Sequence, residues 1–366
     1  MKYSKLTYYL LTILCMMATS CVTDGVMDEC PDSSKNTEMV TDARVSLVLN
    51  FAINSSATRA GEIDGSTIDG ELNERKIKDV HIYAFQNNKF KEEVKYVSIF
   101  GTDGDKTRII QGTLSEKYNP EIAVKFVVIA NGENKKVITP NIPKLDSNTT
   151  PETLFSQLVF DYNSNDNWNT CIPMAGICEI KPLQEGDYNT AELQLTRAIA
   201  KVNVTVNEGK GLEGVEITEI TLHNYNTQGY CAVQENNNLP YIPATSQIST
   251  STLSSGPLRG KEGNCFENHF YIPEHKNIGI AEDNRVYLHI KANVYDMPKE
   301  YDLAFTHNGN IHDVLRNYIY IFNIKSIKAQ DASLSLDYTV KKWDLISVDV
   351  PSFNSVSYTH LTLPTT

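Results

Sequence analysis

Short segments in which apolar and polar side chains alternate recur along almost the whole chain, separated by clusters of Gly, Pro, Asn, Asp and Ser. That pattern points to an all-β fold. The first such segment is VSLVLNFAI, in which Val45, Leu47, Leu49, Phe51 and Ile53 share one face of a strand while Ser46 and Asn50 fall on the other. Further strands are predicted at 79–85, 95–100, 122–131, 191–195, 200–206 and 215–225, and then at FYIP, 286–295, EYDLAF, 317–327 and 334–343. One helix is predicted, at 151–158, where Thr149 or Thr150 can cap the first turn and Pro151 opens it. The 19 Tyr and 12 Phe, set among abundant Thr, Val and Ile, suit pleated surfaces in the same way.

The 366 residues suffice for two domains at roughly 100–200 residues each. Two β-sandwiches in series fit the strand count, with the boundary at the polar, breaker-rich stretch 181–190. No strict internal repeat is present. At the N-terminus, Lys2 and Lys5 precede an apolar run and then Ala18, Thr19, Ser20 and Cys21. This reads as a secretory signal of the lipoprotein kind, cut so that Cys21 becomes an acylated N-terminus. The final stretch, 356–366, reads as translated sequencing adapter and is left out of the fold reasoning.

Several function classes lose ground at once. A net charge of -12 repels nucleic-acid phosphate and anionic headgroups, so no nucleic-acid partner is expected. The sequence has no Gly-rich phosphate loop, no G-x-S-x-G elbow and no H-E-x-x-H helix, so no catalytic residue, cofactor or enzymatic activity is assigned. His307, His312 and Asp313 flank NGNI, but their spacing suits a hairpin turn better than a metal site. The loop 101–108, GTDGDKTR, resembles a calcium loop without the later bidentate Glu and reads as a hairpin tip. Cys171 and Cys178 lie roughly 23 Å apart in an extended chain, too far for a disulfide unless the chain turns between them. Buried free thiols are the simpler expectation.

Nine segments, taken in order, are similar to the fimbrillin family, the pilin subunits of type V pili of Bacteroidales. They are Cys21, TRA at 58–60, IKDVHIYAF at 77–85, FVVIANGEN at 126–134 and IPMAG at 172–176, followed by LTRAIAKVNVTV at 195–206, FYIPEHKN at 270–277, RNYIYIFNI at 316–324 and TVKKW at 339–343. The resemblance covers about 21–353. It implies two transthyretin-like β-sandwich domains and a division into signal peptide 1–20, tether and propeptide 21–59, N-terminal sandwich 60–186 and C-terminal sandwich 187–355.

The resemblance also implies a mechanism. A trypsin-like, Arg-specific protease would cut after Arg59, leaving Ala60 as the new N-terminus. The strand carrying Val45, Leu47, Leu49, Phe51 and Ile53 would then be removable, and its loss would expose unpaired backbone and an apolar groove. A donor strand around Ile346, Val348 and Val350 of a neighbouring subunit would fill the groove by strand addition, building a head-to-tail filament at the outer membrane. The partners implied are other pilus subunits, outer-membrane lipid through Cys21, and the protease. Two alternatives stand beside this reading: an uncleaved anchor lipoprotein, and a tip adhesin for host glycan or protein. Arg197 and Lys201, four apart in an otherwise apolar stretch, read as braces of the domain junction.

Overall fold

A computed structural model describes residues 44–49, 67–106, 108–138, 144–184, 188–206, 214–232, 240–258, 266–307, 309–327 and 334–343, all within one compact unit spanning 41–366. The described chain is built almost wholly of strands. Its first half runs through β1 (Arg44–Leu49), β2 (Thr67–Ile68), a 3-10 turn at Asn73–Arg75, β3 (Val80–Gln86), β4 (Lys89–Glu93), β5 (Lys95–Phe100), β6 (Arg108–Thr113) and β7 (Val124–Ala130). Helix α1 (Pro151–Gln157), β8 (Val159–Asp161), β9 (Met174–Ile180), β10 (Asn189–Leu193) and β11 (Thr196–Arg197) follow. The second half comprises β12 (Ala200–Val206), β13 (Val215–Asn226), β14 (Gln228–Tyr230), β15 (Ile248–Leu258), β16 (Phe266–Ile272), β17 (Tyr287–Val294), β18 (Met297–Ala304), β19 (Thr306–His307), β20 (Asn310–Ile311), β21 (Tyr318–Ile327) and β22 (Leu334–Trp343).

Four larger sheets result. The first-half strands form one sheet in the order β10, β1, β6, β5 and another in the order β11, β9, β7, β3, β4. Second-half strands form a sheet ordered β16, β12, β21, β22, which the first-half strand β2 joins beside β22, and one ordered β15, β13, β17, β18. After β2 the chain runs through the first pair of sheets and enters the second between Arg197 and Ala200. The period-2 alternation accounts for the half-buried strands: β17 alternates half-buried and buried residues along its whole length, with Leu288, Ile290, Ala292 and Val294 inside. By contrast, β7 buries Phe126 to Ala130 without a break, so both of its faces are covered there.

The helix starts as its sequence dictates. Thr150 caps it by accepting from the Thr153 N–H at 3.3 Å, and Pro151 occupies the first turn. The stretch around His307 forms the small hairpin β19–β20. Asp313, beside it, accepts from the Asn277 and Ile278 N–H groups at 2.7 and 2.8 Å. No group of three His, Cys, Asp or Glu suited to a metal ion occurs among the described residues. The loop after Phe100 is a hairpin tip between β5 and β6, closed by Arg108 donating to the Phe100 and Thr102 carbonyls. Cys171, Cys178 and Cys231 are buried free thiols, and burial pushes those of Cys178 and Cys231 up to about 12.

Two contacts tie the halves together through the middle of the chain. Strand β8 pairs antiparallel with β14, and the Tyr162 hydroxyl donates to the Tyr271 carbonyl at 2.5 Å. Gly229 is required in β14 because a Cβ there would lie 2.4 Å from Cζ of Phe160. One continuous buried apolar cluster includes residues from strands of both halves, from Ile82 and Val128 to Ile290 and Phe322.

Candidate functional site

Strand β1 is an inner strand of its sheet. It runs parallel to β10 and antiparallel to β6, with Val45, Leu47 and Leu49 opposite Asn189, Ala191 and Leu193 on one side and opposite Gly112, Ile110 and Arg108 on the other. Both neighbours therefore lend it main-chain hydrogen bonds, and a chain without β1 would have two facing strand edges unpaired. The floor beneath this seat is fixed. Ile110 is fully buried and Leu193 nearly so, and a Cβ at Gly176 of β9 would lie 2.2 Å from the carbonyl oxygen of Gln194 just after β10. That Gly belongs to the IPMAG segment, whose absent side chain lets β9 and the end of β10 approach so closely.

Of the other residues singled out in the sequence, Phe51, Ile53, Arg59, Ala60, Cys21, Ile346, Val348 and Val350 lie outside the described residues. The described residues resume at Thr67 after Arg59 and Ala60 and end at Trp343 before Ile346. Past the Arg59 region, residues 67–75 form a strap across the second half. Thr67 and Ile68 of β2 pair in parallel with Lys342 and Trp343 at the end of β22, so the strap is held to the last described strand.

The strap is bolted down by buried charge. Glu74 is 1% exposed; its Oε1 accepts from Lys201 Nζ at 2.7 Å and from the Tyr271 hydroxyl at 2.5 Å, while Oε2 accepts from the Glu71 N–H at 2.6 Å. Lys201 also donates to Glu71 at 2.9 Å, which holds that carboxyl below the usual carboxylate range. Burial, with Glu74 beside it, pushes the Tyr271 hydroxyl well above the usual phenol range. Arg197, fully buried, donates from Nε to the Glu74 carbonyl at 3.2 Å and lays its guanidinium 4.5 Å from the Trp343 ring centre. Asn317 completes the group by donating to the Trp343 carbonyl at 2.7 Å. On the first-half side, Asp69 of the strap pairs with Lys106 of the β5–β6 tip. Arg197 and Lys201 are thus drawn together on one target, the strap, which sequence reasoning did not identify. Glu71 and Glu74 end the small, polar and acidic run 54–74, and only the Lys201 pairing distinguishes them.

A second polar region lies on the opposite sheet. A cleft of about 490 Å³ is lined by residues that include Asp283, Arg285, Tyr287, Asp302, Phe305 and Ile311. Tyr287 stacks on His223, ring centres 4.7 Å apart, and His289 Nδ1 hydrogen-bonds Asp302 Oδ1 at 2.7 Å, the carboxylate accepting. No helix among the described residues is long and apolar enough to cross a membrane.

The comparisons agree with this architecture. A model of the Fimbrillin-A associated anchor proteins Mfa1 and Mfa2 matches residues 27–349. Among solved structures, the chain is similar to the tip fimbrial protein Mfa3 of Porphyromonas gingivalis with C-terminal truncation, at 17% identity and a TM-score of 0.51, covering 82% of this chain and 100% of that one. It is also similar to a candidate cell adhesion protein of Bacteroides eggerthii, at 14% identity and a TM-score of 0.52, covering 84% and 98%. At such identities the likeness is one of fold. No curated protein matches the sequence. The family match spans most of the chain, and the protein therefore belongs to the family of Fimbrillin-A associated anchor proteins Mfa1 and Mfa2, components of cell-surface fimbriae.

Proposed function

We propose that this protein is a structural pilin subunit, exported as a lipoprotein through acylated Cys21 and cut after Arg59 by an Arg-specific, trypsin-like protease that leaves Ala60 as the new N-terminus. Cleavage frees β1 to leave its seat between β10 and β6, and the segment around Ile346, Val348 and Val350 of a neighbouring subunit enters it by strand addition. Subunits joined in this way grow head to tail. In this reading the two sheets of the first half make one sandwich and those of the second half another, and the filament stands on the outer membrane.

The observation that carries the reading is the contrast between the two sides of Arg59. The strand before it is held by backbone pairing within one sheet, whereas the strap after it is bolted through Glu74 to Lys201, Tyr271 and Arg197. A cut between them separates a segment that can leave from one that cannot. Limited trypsin digestion of the chain without its signal peptide, followed by intact mass and an unboiled denaturing gel, tests this. The expected result is loss of residues up to Arg59 and a ladder of detergent-resistant multimers. A β1 that stays protected, in a protein that stays monomeric, would replace this reading with a second one.

That second reading is an uncleaved anchor lipoprotein, and what favours it is the family's own description as anchor proteins. A third, a tip adhesin for host glycan or protein, would use the Tyr287 cleft, and glycan-array binding that is lost in Tyr287→Ala would support it.

A further inference from the structure

Two sheet edges show how this molecule guards one. Edge strand β18 carries Pro298, Lys299, Glu300 and Asp302, and edge strand β4, KFKEE, is mostly charged while its Phe90 N–H donates to the Thr149 carbonyl at 2.9 Å. Strand β5, the edge of the sheet that also holds β1, has neither device. Its sequence KYVSIF has a single charge, at Lys95, and no Pro, and among the described residues no strand pairs with its outer side. Tyr96 is 84% exposed and Phe100 48%, whereas Val97 and Ile99 are half-buried and pack on the core. Tyr96 also has a φ of 54°, in the left-handed region that bulky side chains rarely enter, at a bulge where the register with β6 shifts between Lys95 and Ser98. An aromatic side chain kept in water at a backbone cost points to a use for it there.

The residue pattern of β5 fits a second copy of itself. An antiparallel pairing of β5 with the β5 of another subunit, centred on Ser98, sets Val97 opposite Ile99 and Tyr96 opposite Phe100, each of them twice. Directly paired residues share a face of the sheet. On one face the half-buried Val97 and Ile99 then carry the core across the join, and on the other two aromatic pairs form. A two-fold contact needs this match between residues equally far from its centre. The charges agree as well. Lys95, whose Nζ donates to the Ser115 hydroxyl at 2.9 Å, falls opposite Gly101 of the copy, close in sequence to the exposed Asp103 and Asp105 of its hairpin tip. Glu93 stays out of the pairing, because the chain leaves for the facing sheet at Val94, whose N–H donates to the Ile82 carbonyl at 2.8 Å.

We infer that β5 is a lateral docking edge for a second copy of this chain, joined as an antiparallel β5–β5 ladder about Ser98. The contact is isologous and closes on itself, so it sets two subunits side by side and cannot by itself grow a filament. It goes beyond the head-to-tail scheme and depends neither on cleavage at Arg59 nor on the exit of β1, since β6 stands between β1 and β5. Stable interfaces engage roughly 20–30 residues a side. With one short strand from each copy, this contact is transient in dilute solution and has to be trapped.

Cysteine trapping on the uncut chain tests it. Facing residues of an antiparallel pair have Cα atoms about 4.5–5.5 Å apart, within disulfide reach. Ser98 is exposed, so Ser98→Cys is expected to melt as the parent does and, under mild oxidation, to give a dimer linked through position 98, mapped by mass of the joined peptides. Tyr96→Cys is the register control: position 96 lies roughly 13 Å from its own mate in the copy, and linking is expected to be at least about tenfold slower. Adding Tyr96→Ala to Ser98→Cys removes both aromatic pairs and is expected to slow linking about fivefold or more. In the parent, amide exchange at 95–100 is expected to slow as protein concentration is raised. The inference is overturned if Ser98→Cys stays monomeric, if Tyr96→Cys links as fast, which would mean random collision, if Tyr96→Ala leaves the rate unchanged, or if exchange at 95–100 ignores concentration. The trypsin result and this crosslink fail separately, since one reads the loss of β1 and the other a strand that stays.

Discussion

Lys201 and Glu74 are 2.7 Å apart with side chains 6% and 1% exposed, so each has given up its water for the other. Such a pair adds little net stability over apolar residues of the same size, but removing one partner strands the other charge in the interior, at a cost of about 3–5 kcal/mol. Lys201→Met is therefore expected to lower the unfolding free energy by that amount in a urea titration, and Lys201→Met combined with Glu74→Gln to recover part of the loss. A single variant within about 0.5 kcal/mol of the parent, the range of ordinary surface changes, would contradict the bolt. His81 behaves differently, since it sits between Glu93 at 2.7 Å and Glu133 at 3.1 Å, and the Glu93 hydrogen bond raises its affinity for a proton. A raised folded-state pKa adds stability that is fully present below the ordinary histidine value of about 6.5 and is lost as pH rises through the raised value. The stability gap between parent and His81→Gln should accordingly be widest near pH 5 and shrink in alkali; a gap that grows with pH would reverse the assignment.

At the scale of strands, Gly176 ties a short sequence segment to the seat of β1. A side chain there meets a backbone oxygen at 2.2 Å, and backbone cannot rotate away as a side chain can. Gly176→Val should destabilise the fold by about 1–3 kcal/mol and hasten proteolysis of the β10 region; a variant as stable as the parent would mean that β9 and β10 can move apart freely. How far the strands could be read beforehand follows from their chemistry. In β13, β17 and β22, apolar residues alternate with polar ones, β21 opens with the apolar and aromatic run YIYIF, and the predicted spans of all four fall within a residue or two of those observed. Strand β15, ISTSTLSSGPL, gave no such signal because Ser and Thr fill it, and its pairing to β13 is broken by three register shifts. Strand β2 is only two residues long and owes its existence to Trp343 and Lys342, so no local pattern announces it. The same limit governs the site. Lys201 stood out as a charge in an apolar strand, but its partner Glu74 lies 127 positions away and looked like one acid among many.

For the molecule as a whole, a net charge of -12 works against like subunits meeting. If subunits join end to end, raising ionic strength from about 0.01 to 0.15 M, which shortens the screening length from about 30 to 8 Å, should accelerate growth of the trypsin-cut protein. Light scattering would follow the rate, and slower growth at higher salt would argue that a complementary charged contact and not strand insertion limits assembly. The pairing of β1 with β10 has a consequence for timing. Val45 meets Asn189 as well as Gly112, so the first described strand has only one of its two neighbours, β6, until residues far downstream exist. At about 5–20 residues per second, a ribosome takes roughly 7–30 s to make the stretch between Leu49 and Leu193. Over that interval the edge of β1 that β10 will cover stays unpaired, open to any strand that reaches it first.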